Sequence, residues 1–190
     1  MEERNQTAQT RDVYIVLSQT GTLLSRILKW VTHAEYNHSS ISLQADLGEM
    51  FSFGRLHAYN PFHGGFVRES TKWGTFKRFP KTRAMVMKVS VPEEDYWAME
   101  LRLSEMYENR KQYHYNFSGV LAAAFHKCLR RKNCYYCSEF VRDFIVEFGL
   151  ATRDTFQDIV KPMDFLKEFS DKIIYRGELR AFEQKAVEIE

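Results

Sequence analysis

Cys137 opens the segment Cys137-Ser138-Glu139-Phe140-Val141, and the apolar residues Phe140, Val141, Phe144, Ile145 and Phe148 follow at three- and four-residue spacing. That spacing predicts a helix with the cysteine in its first turn. Unpaired backbone N–H groups at a helix start favour an anion, and such a position lowers a thiol's pKa from about 8.5 toward neutrality. The thiolate is the nucleophilic form of cysteine, so Cys137 is a candidate nucleophile. The competing structural reading is that Cys137 only begins a buried stripe.

A thiol enzyme also needs a base to take the proton and a third group to hold the imidazole in one tautomer. Six histidines are available. His38 begins the alternating stretch His38-Ser39-Ser40-Ile41-Ser42-Leu43, and its own face carries only serines, which leave room for a substrate. A lone histidine at a strand start is more often a surface or capping residue. His57 and His63 lie beside glycines and, with Ser40 and Gly64, are candidates for substrate contact. His33 and His114 show no pattern. A metal site competes: His126, Cys128, Cys134 and Cys137 are four ligand types close in sequence. However, His126 and Cys128 are two apart on an expected helix, about 200° around its axis, so they point away from each other. Cys134-Tyr135-Tyr136-Cys137 would also suit a redox pair, but such motifs follow a strand, and here a helix and a basic loop come first. No metal and no organic cofactor is expected.

These residues need elements to place them. Val13 to Ser18 reads as a buried strand, and Leu23 to Val31 as a helix. His38 to Leu43 and Met50 to Phe53, joined by Ala45-Asp46-Leu47-Gly48, read as a hairpin, with His38 set opposite Ser52 on one face. Residues 55–83, rich in glycine, read as loops with short strands. Ala84 to Val91 is a strand, and Pro92-Glu93-Glu94-Asp95 starts a helix expected to reach Arg110. Further helices are expected over Ser118 to Leu129, Cys137 to Phe148 (stopped by Gly149) and Pro162 to Phe169, with a last strand from Lys172 to Phe182.

At 190 residues, 44% of them hydrophobic, the chain can bury a core without disulfides or a structural metal. The expected organisation is a disordered leader over 1–11, one domain over 12–182 and a tail over 183–190. No run of 18 apolar residues is present, so no membrane span is expected. The polar start lacks a secretory signal, and three cysteines are an odd number. Both point to a reducing, cytoplasmic setting. A net charge of +2 gives no sign of nucleic-acid binding. Its distribution is uneven, however: between positions 66 and 88 seven basic residues face only Glu69, and Lys127, Arg130, Arg131 and Lys132 precede the cysteine motif. These are either solvated faces or a basic rim for an anionic substrate or peripheral lipid contact.

Taken together, Tyr36-Asn37-His38-Ser39-Ser40-Ile41-Ser42-Leu43 and Tyr136-Cys137-Ser138-Glu139-Phe140-Val141 resemble the two signature segments of circularly permuted papain-like proteins, the YiiX-like and lecithin:retinol acyltransferase-like branch of the NlpC superfamily. In the permuted branch the histidine strand precedes the cysteine helix, as here. Met50-Phe51-Ser52-Phe53-Gly54-Arg55, Asn60-Pro61-Phe62-His63-Gly64-Gly65-Phe66-Val67, Tyr113-His114-Tyr115-Asn116 and Lys161-Pro162-Met163-Asp164-Phe165 resemble a bacterial group of that branch, and the resemblance covers residues 12–180.

The resemblance implies an α+β fold, with a small antiparallel sheet or half-barrel packed on helices. It implies Cys137 as nucleophile, His38 as general base and, at the third position on the following strand, Ser52. A serine there departs from the glutamate common in the family, and Glu49 has the wrong parity to share His38's face unless the hairpin contains a bulge. The expected activity is a cysteine peptidase or amidase acting through an acyl-enzyme on a peptide or acyl-ester substrate. A lipid acyltransferase or esterase and a non-catalytic or zinc-binding module are the alternatives.

Overall fold

The computed structural model describes residues 9–20, 34–57, 60–124 and 127–182, with backbone only for 57, 60–63 and 121–124. The helix expected over Leu23 to Val31 lies outside them, as do His33, His126, most of the leader and the tail.

The chain is an α+β protein built on a six-stranded sheet in the order β4-β3-β2-β1-β5-β8. The strands are β1 (Thr10–Gln19), β2 (His38–Ser42), β3 (Met50–His57), β4 (Asn60–Glu69), β5 (Arg83–Pro92) and β8 (Ile173–Glu178). Every pairing in this sheet is antiparallel. A second, two-stranded sheet pairs β6 (His114–Tyr115) with β7 (Cys134–Tyr135) in parallel. The helices are α1 (Gly74–Arg78), α2 (Glu93–Glu108), α3 (Phe117–Ala124), α4 (Cys137–Glu147) and α5 (Leu166–Phe169), with Pro162–Phe165 a 3-10 turn leading into α5.

The central strand β1 reads as a continuous apolar run because both its faces are covered. Val13, Ile15 and Leu17 join Ile41, Phe53, Phe66, Met85 and Met87 in the main core, together with Met99, Leu103 and Met106 of α2 and Phe140, Val141, Phe144 and Ile145 of α4. Tyr14 and Val16 point the other way, into a smaller cluster with Met50, Phe76, Ala84, Val86 and Leu179. Complete burial of such side chains contributes roughly 1.5–3 kcal/mol each, so the helix-covered face dominates and fixes where α4 lies.

Several elements differ from expectation, β4, α3 and β8 among them. The glycine-rich region, expected as loops with short strands, carries in β4 a ten-residue strand. Its glycines sit in register, with Gly54 opposite Gly65 and Arg55 opposite Gly64, because β6 and the residue before it cross close over them. A Cβ on Gly64 would come 2.7 Å from Tyr115 Cβ, and one on Gly65 2.9 Å from the Tyr113 carbonyl. Here glycine marks close backbone approach rather than a turn. Next, α3 ends at Ala124 as described, and residues 127–130 are not helical. Finally, β8 stops at Glu178, and residues 179–182 form a helical turn instead of extending the strand. Among the described residues, no helix is long and apolar enough to cross a membrane.

Candidate active site

α4 begins at Cys137 with Tyr136 as its N-cap residue, and no side chain caps that end. Its position is fixed from three sides. Phe140, Val141, Phe144 and Ile145 press on the sheet. Ser138 Oγ donates to the Val160 carbonyl at 2.9 Å, and the fully buried Arg142 donates through Nη1 to the Asp158 carbonyl at 3.2 Å. The third side is the β6–β7 pair, in which Asn116 N–H donates to the Tyr135 carbonyl at 2.9 Å.

His38 is the first residue of β2, the strand nearest to α4 together with β3. Its Nε2 lies 2.9 Å from Glu69 Oε2 and 3.1 Å from Oε1. With Nε2 engaged by the carboxylate, the other ring nitrogen is left for the Cys137 sulfur, to which the ring is also hydrogen-bonded. The ring therefore lies between Cys137 at the start of α4 and Glu69 on β4. Ser40 Oγ donates to Glu69 Oε2 at 2.8 Å, so the carboxylate is held by a second group. The side chains of His38 and Glu69 keep only 17% and 16% of their surface exposed, and in such a setting a paired charge is little screened.

The electrostatics follow from this geometry. Burial works against a charged His38, but the Glu69 carboxylate and the hydrogen bonds to Cys137 and Glu69 hold its pKa well above the ordinary histidine value. For Cys137, burial pushes the thiol up. The hydrogen bond from His38, its positive charge and the backbone N–H groups of Ser39 and Ser138 outweigh that and bring the thiol below its ordinary value. The two shifts run in the directions that favour a thiolate–imidazolium pair, the reactive form of a cysteine nucleophile.

The carboxylate against the His38 ring is Glu69, and Ser52 does not contact that ring. The hairpin register places Ile41 opposite Phe51, which sets Ser40 across from Ser52 and His38 across from Gly54, two residues away from the expected pairing. Ser52 is fully buried and donates to the Ser39 carbonyl at 2.6 Å; it ties β3 to β2. Glu69 reaches the ring across Gly54, whose added Cβ would sit 3.6 Å from Glu69 Oε1 and 3.9 Å from His38 Cε1. A side chain at that position would crowd the pair. The sequence carried one signal for Glu69, since it is the sole acid in a basic stretch. Glu49 points elsewhere and pairs with Arg68 at 3.1 Å.

The remaining expected contacts divide. Ser40 is fully buried and donates its hydroxyl to Glu69. Gly64 packs under Tyr115 and lines a cleft with Tyr113 and Tyr115. The side chains of His57 and His63 lie outside the described residues. Among the cysteines, Cys128 is exposed, Cys134 half-buried and Cys137 buried. Among the described residues no group of three or more His, Cys, Asp or Glu side chains is placed to hold a metal ion. Tyr115 was not singled out from sequence; burial raises its phenol, the Cys137 thiolate raises it further, and Arg55 acts against both.

Beside Glu69 opens a cleft of about 260 Å³ whose lining includes Arg55, Phe66, Arg68, Trp73, Tyr107 and Arg110. On the Tyr115 side lies a second hollow, which shares Leu56 and Arg110 with the first. Comparison of the chain with family models, with curated proteins and with solved structures gives no match.

A buried acid lies two residues from Cys137 on α4. Glu139 is 3% exposed, and burial raises its carboxyl against the opposing pull of Arg142, the Tyr136 N–H and Asn116. A carboxyl whose pKa is higher folded than unfolded favours the folded state below the unfolded value and loses that contribution as pH rises through the folded one. Glu139→Gln is therefore expected to flatten the fall in Tm that wild type shows as pH rises from about 4.5, the ordinary glutamate value, toward neutrality. Differential scanning calorimetry across that range checks it, and an unchanged slope would refute it.

Proposed function

We propose that this chain is a cysteine hydrolase of the peptidase or amidase class, with Cys137 as nucleophile, His38 as general base and acid, and Glu69 orienting the imidazole. The observation that carries the reading is the His38 ring, held on one side by the Glu69 carboxylate at 2.9 Å and hydrogen-bonded on the other to a thiol whose pKa is lowered. The order of histidine strand before cysteine helix, and the packing of that helix on an antiparallel sheet, support a circularly permuted papain-like fold of the NlpC type.

In the proposed cycle the Cys137 thiolate attacks the substrate carbonyl carbon, and a C–S bond forms. The resulting oxyanion is stabilised by N–H groups at the α4 N-terminus, including that of Cys137. The His38 imidazolium gives its proton to the leaving nitrogen or oxygen, that bond breaks, and a thioester acyl-enzyme remains. Neutral His38 then takes a proton from water as the water attacks the thioester, and the acid product leaves with thiolate and imidazolium restored. A lipid-directed enzyme of the same fold would call for an apolar groove. The cleft beside Glu69 carries three arginines among its rings, which favours a polar substrate.

The test is a single-turnover reaction with para-nitrophenyl acetate followed by intact and peptide mass analysis. One acetyl group is expected on Cys137, transient at neutral pH and absent from Cys137→Ala. Equal acetylation of Cys128, Cys134 and Cys137 would sink the proposal.

A further inference from the structure

We propose that the cleft beside Glu69 is the subsite that selects the substrate, and that it takes an acyl group bearing a free carboxylate on a short body, such as an acidic residue or a dicarboxylic half-amide. This deepens the hydrolase reading and rests on it.

The charges in the cleft do not balance among themselves. Three guanidinium groups line it, and its one carboxylate is Glu69, already engaged by His38 and Ser40. Arg68 is satisfied by Glu49 at 3.1 Å. Arg55 and Arg110 form no ion pair among the described residues. Cations converging on one hollow repel one another unless an anion enters, and a concave wall focuses their field. The planar guanidinium fork matches a carboxylate with two parallel hydrogen bonds.

The groups are also held in place in advance. Arg110 Nη1 donates to the Tyr107 carbonyl at 2.9 Å. Its guanidinium lies 4.6 Å from the centre of the Tyr107 ring, and that of Arg68 lies 4.9 Å from the same ring. Trp73, 41% exposed, offers an open apolar face for the body of the ligand. Glu69 ties the cleft to the chemistry, because it lines the cleft and its carboxylate lies 2.9 Å from the His38 ring. The cleft itself suits a short ligand body: about 260 Å³ lies just below the roughly 300–1,000 Å³ of sites for drug-sized ligands.

The experiment compares two esters of equal chain length, para-nitrophenyl hydrogen glutarate and para-nitrophenyl valerate, on the full chain. Wild type is expected to favour the glutarate ester in kcat/KM by about tenfold or more, the equivalent of one charge-assisted hydrogen bond. That preference should vanish in the Arg55→Ala/Arg110→Ala double variant and return in part when lysine replaces each arginine. Equal kcat/KM for the two esters, or a preference that survives the double alanine change, would overturn the subsite while leaving Cys137 acylation intact. If neither ester acylates Cys137, the hydrolase reading fails on its own account, and calorimetry with glutarate judges the cleft. Binding that depends on Arg55 and Arg110 would support an anion site, and no binding at millimolar glutarate would refute it.

Discussion

In His38→Ala, alkylation of Cys137 by iodoacetamide at pH 6 is expected to fall about a hundredfold or more, because the thiolate fraction drops tenfold for each unit the thiol pKa rises. Burial is the largest influence on Cys137 and raises its pKa; the imidazole is what reverses the direction. Removing the ring leaves only the Ser39 and Ser138 N–H groups against burial. Ester hydrolysis should fall with it, by about ten-thousandfold or more, as when the base of a comparable constellation is removed. The pH profile of wild-type kcat/KM carries the same information. Its rising limb follows the lowered Cys137 thiol, and its falling limb follows the raised His38 imidazolium. Cys128 and Cys134 serve as internal controls. Peptide-resolved labelling in which Cys137 reacts no faster than these two at pH 6, with or without His38, would defeat the ion-pair assignment.

Glu69→Gln is expected to lower kcat/KM by about a thousandfold to ten-thousandfold, the effect of replacing a triad carboxylate by its amide. The glutamine keeps the shape and removes the charge that holds His38 protonated. Its falling pH limb should therefore move toward acid, a change that loss of folding alone would not produce. Ser40→Ala removes the 2.8 Å hydrogen bond to Glu69 and should cost about tenfold in kcat/KM, with Ser40→Thr restoring most of it. Ser52→Ala is the contrasting case. It loses a buried bond to the Ser39 carbonyl, so stability falls by about 1 kcal/mol while the pH profile stays in place. Steady-state kinetics from pH 5 to 9 on the four variants separates the roles. If Ser52→Ala shifted the falling limb and Glu69→Gln did not, the third position would have to be reassigned.

The elements with strong local patterning were legible in the chain. The three- and four-residue stripe after Cys137 gave α4 and its start, the alternation from His38 gave β2, and Pro92 with its three following acids gave the start of α2, because each signal lies within one element. The glycine-rich stretch was misread for the same reason. Gly64 and Gly65 are small to let Tyr113 and Tyr115 pass close above them, and a neighbour about fifty residues away leaves no local mark.

Sequence alone determined the class of fold, the position of the cysteine at a helix start and the histidine at a strand start, since helical period, strand alternation and capping are properties of short segments. Tertiary structure alone decided the partner of that histidine. Strand parity offered Ser52, while Glu69 lay in a stretch expected as loops with short strands, and parity says only which face a residue shares. The register of β2 on β3 and β4 on β3, fixed by burying Ile41, Phe53 and Phe66 against α4, carried Glu69 across the bare Gly54 to the ring and left Ser52 holding backbone.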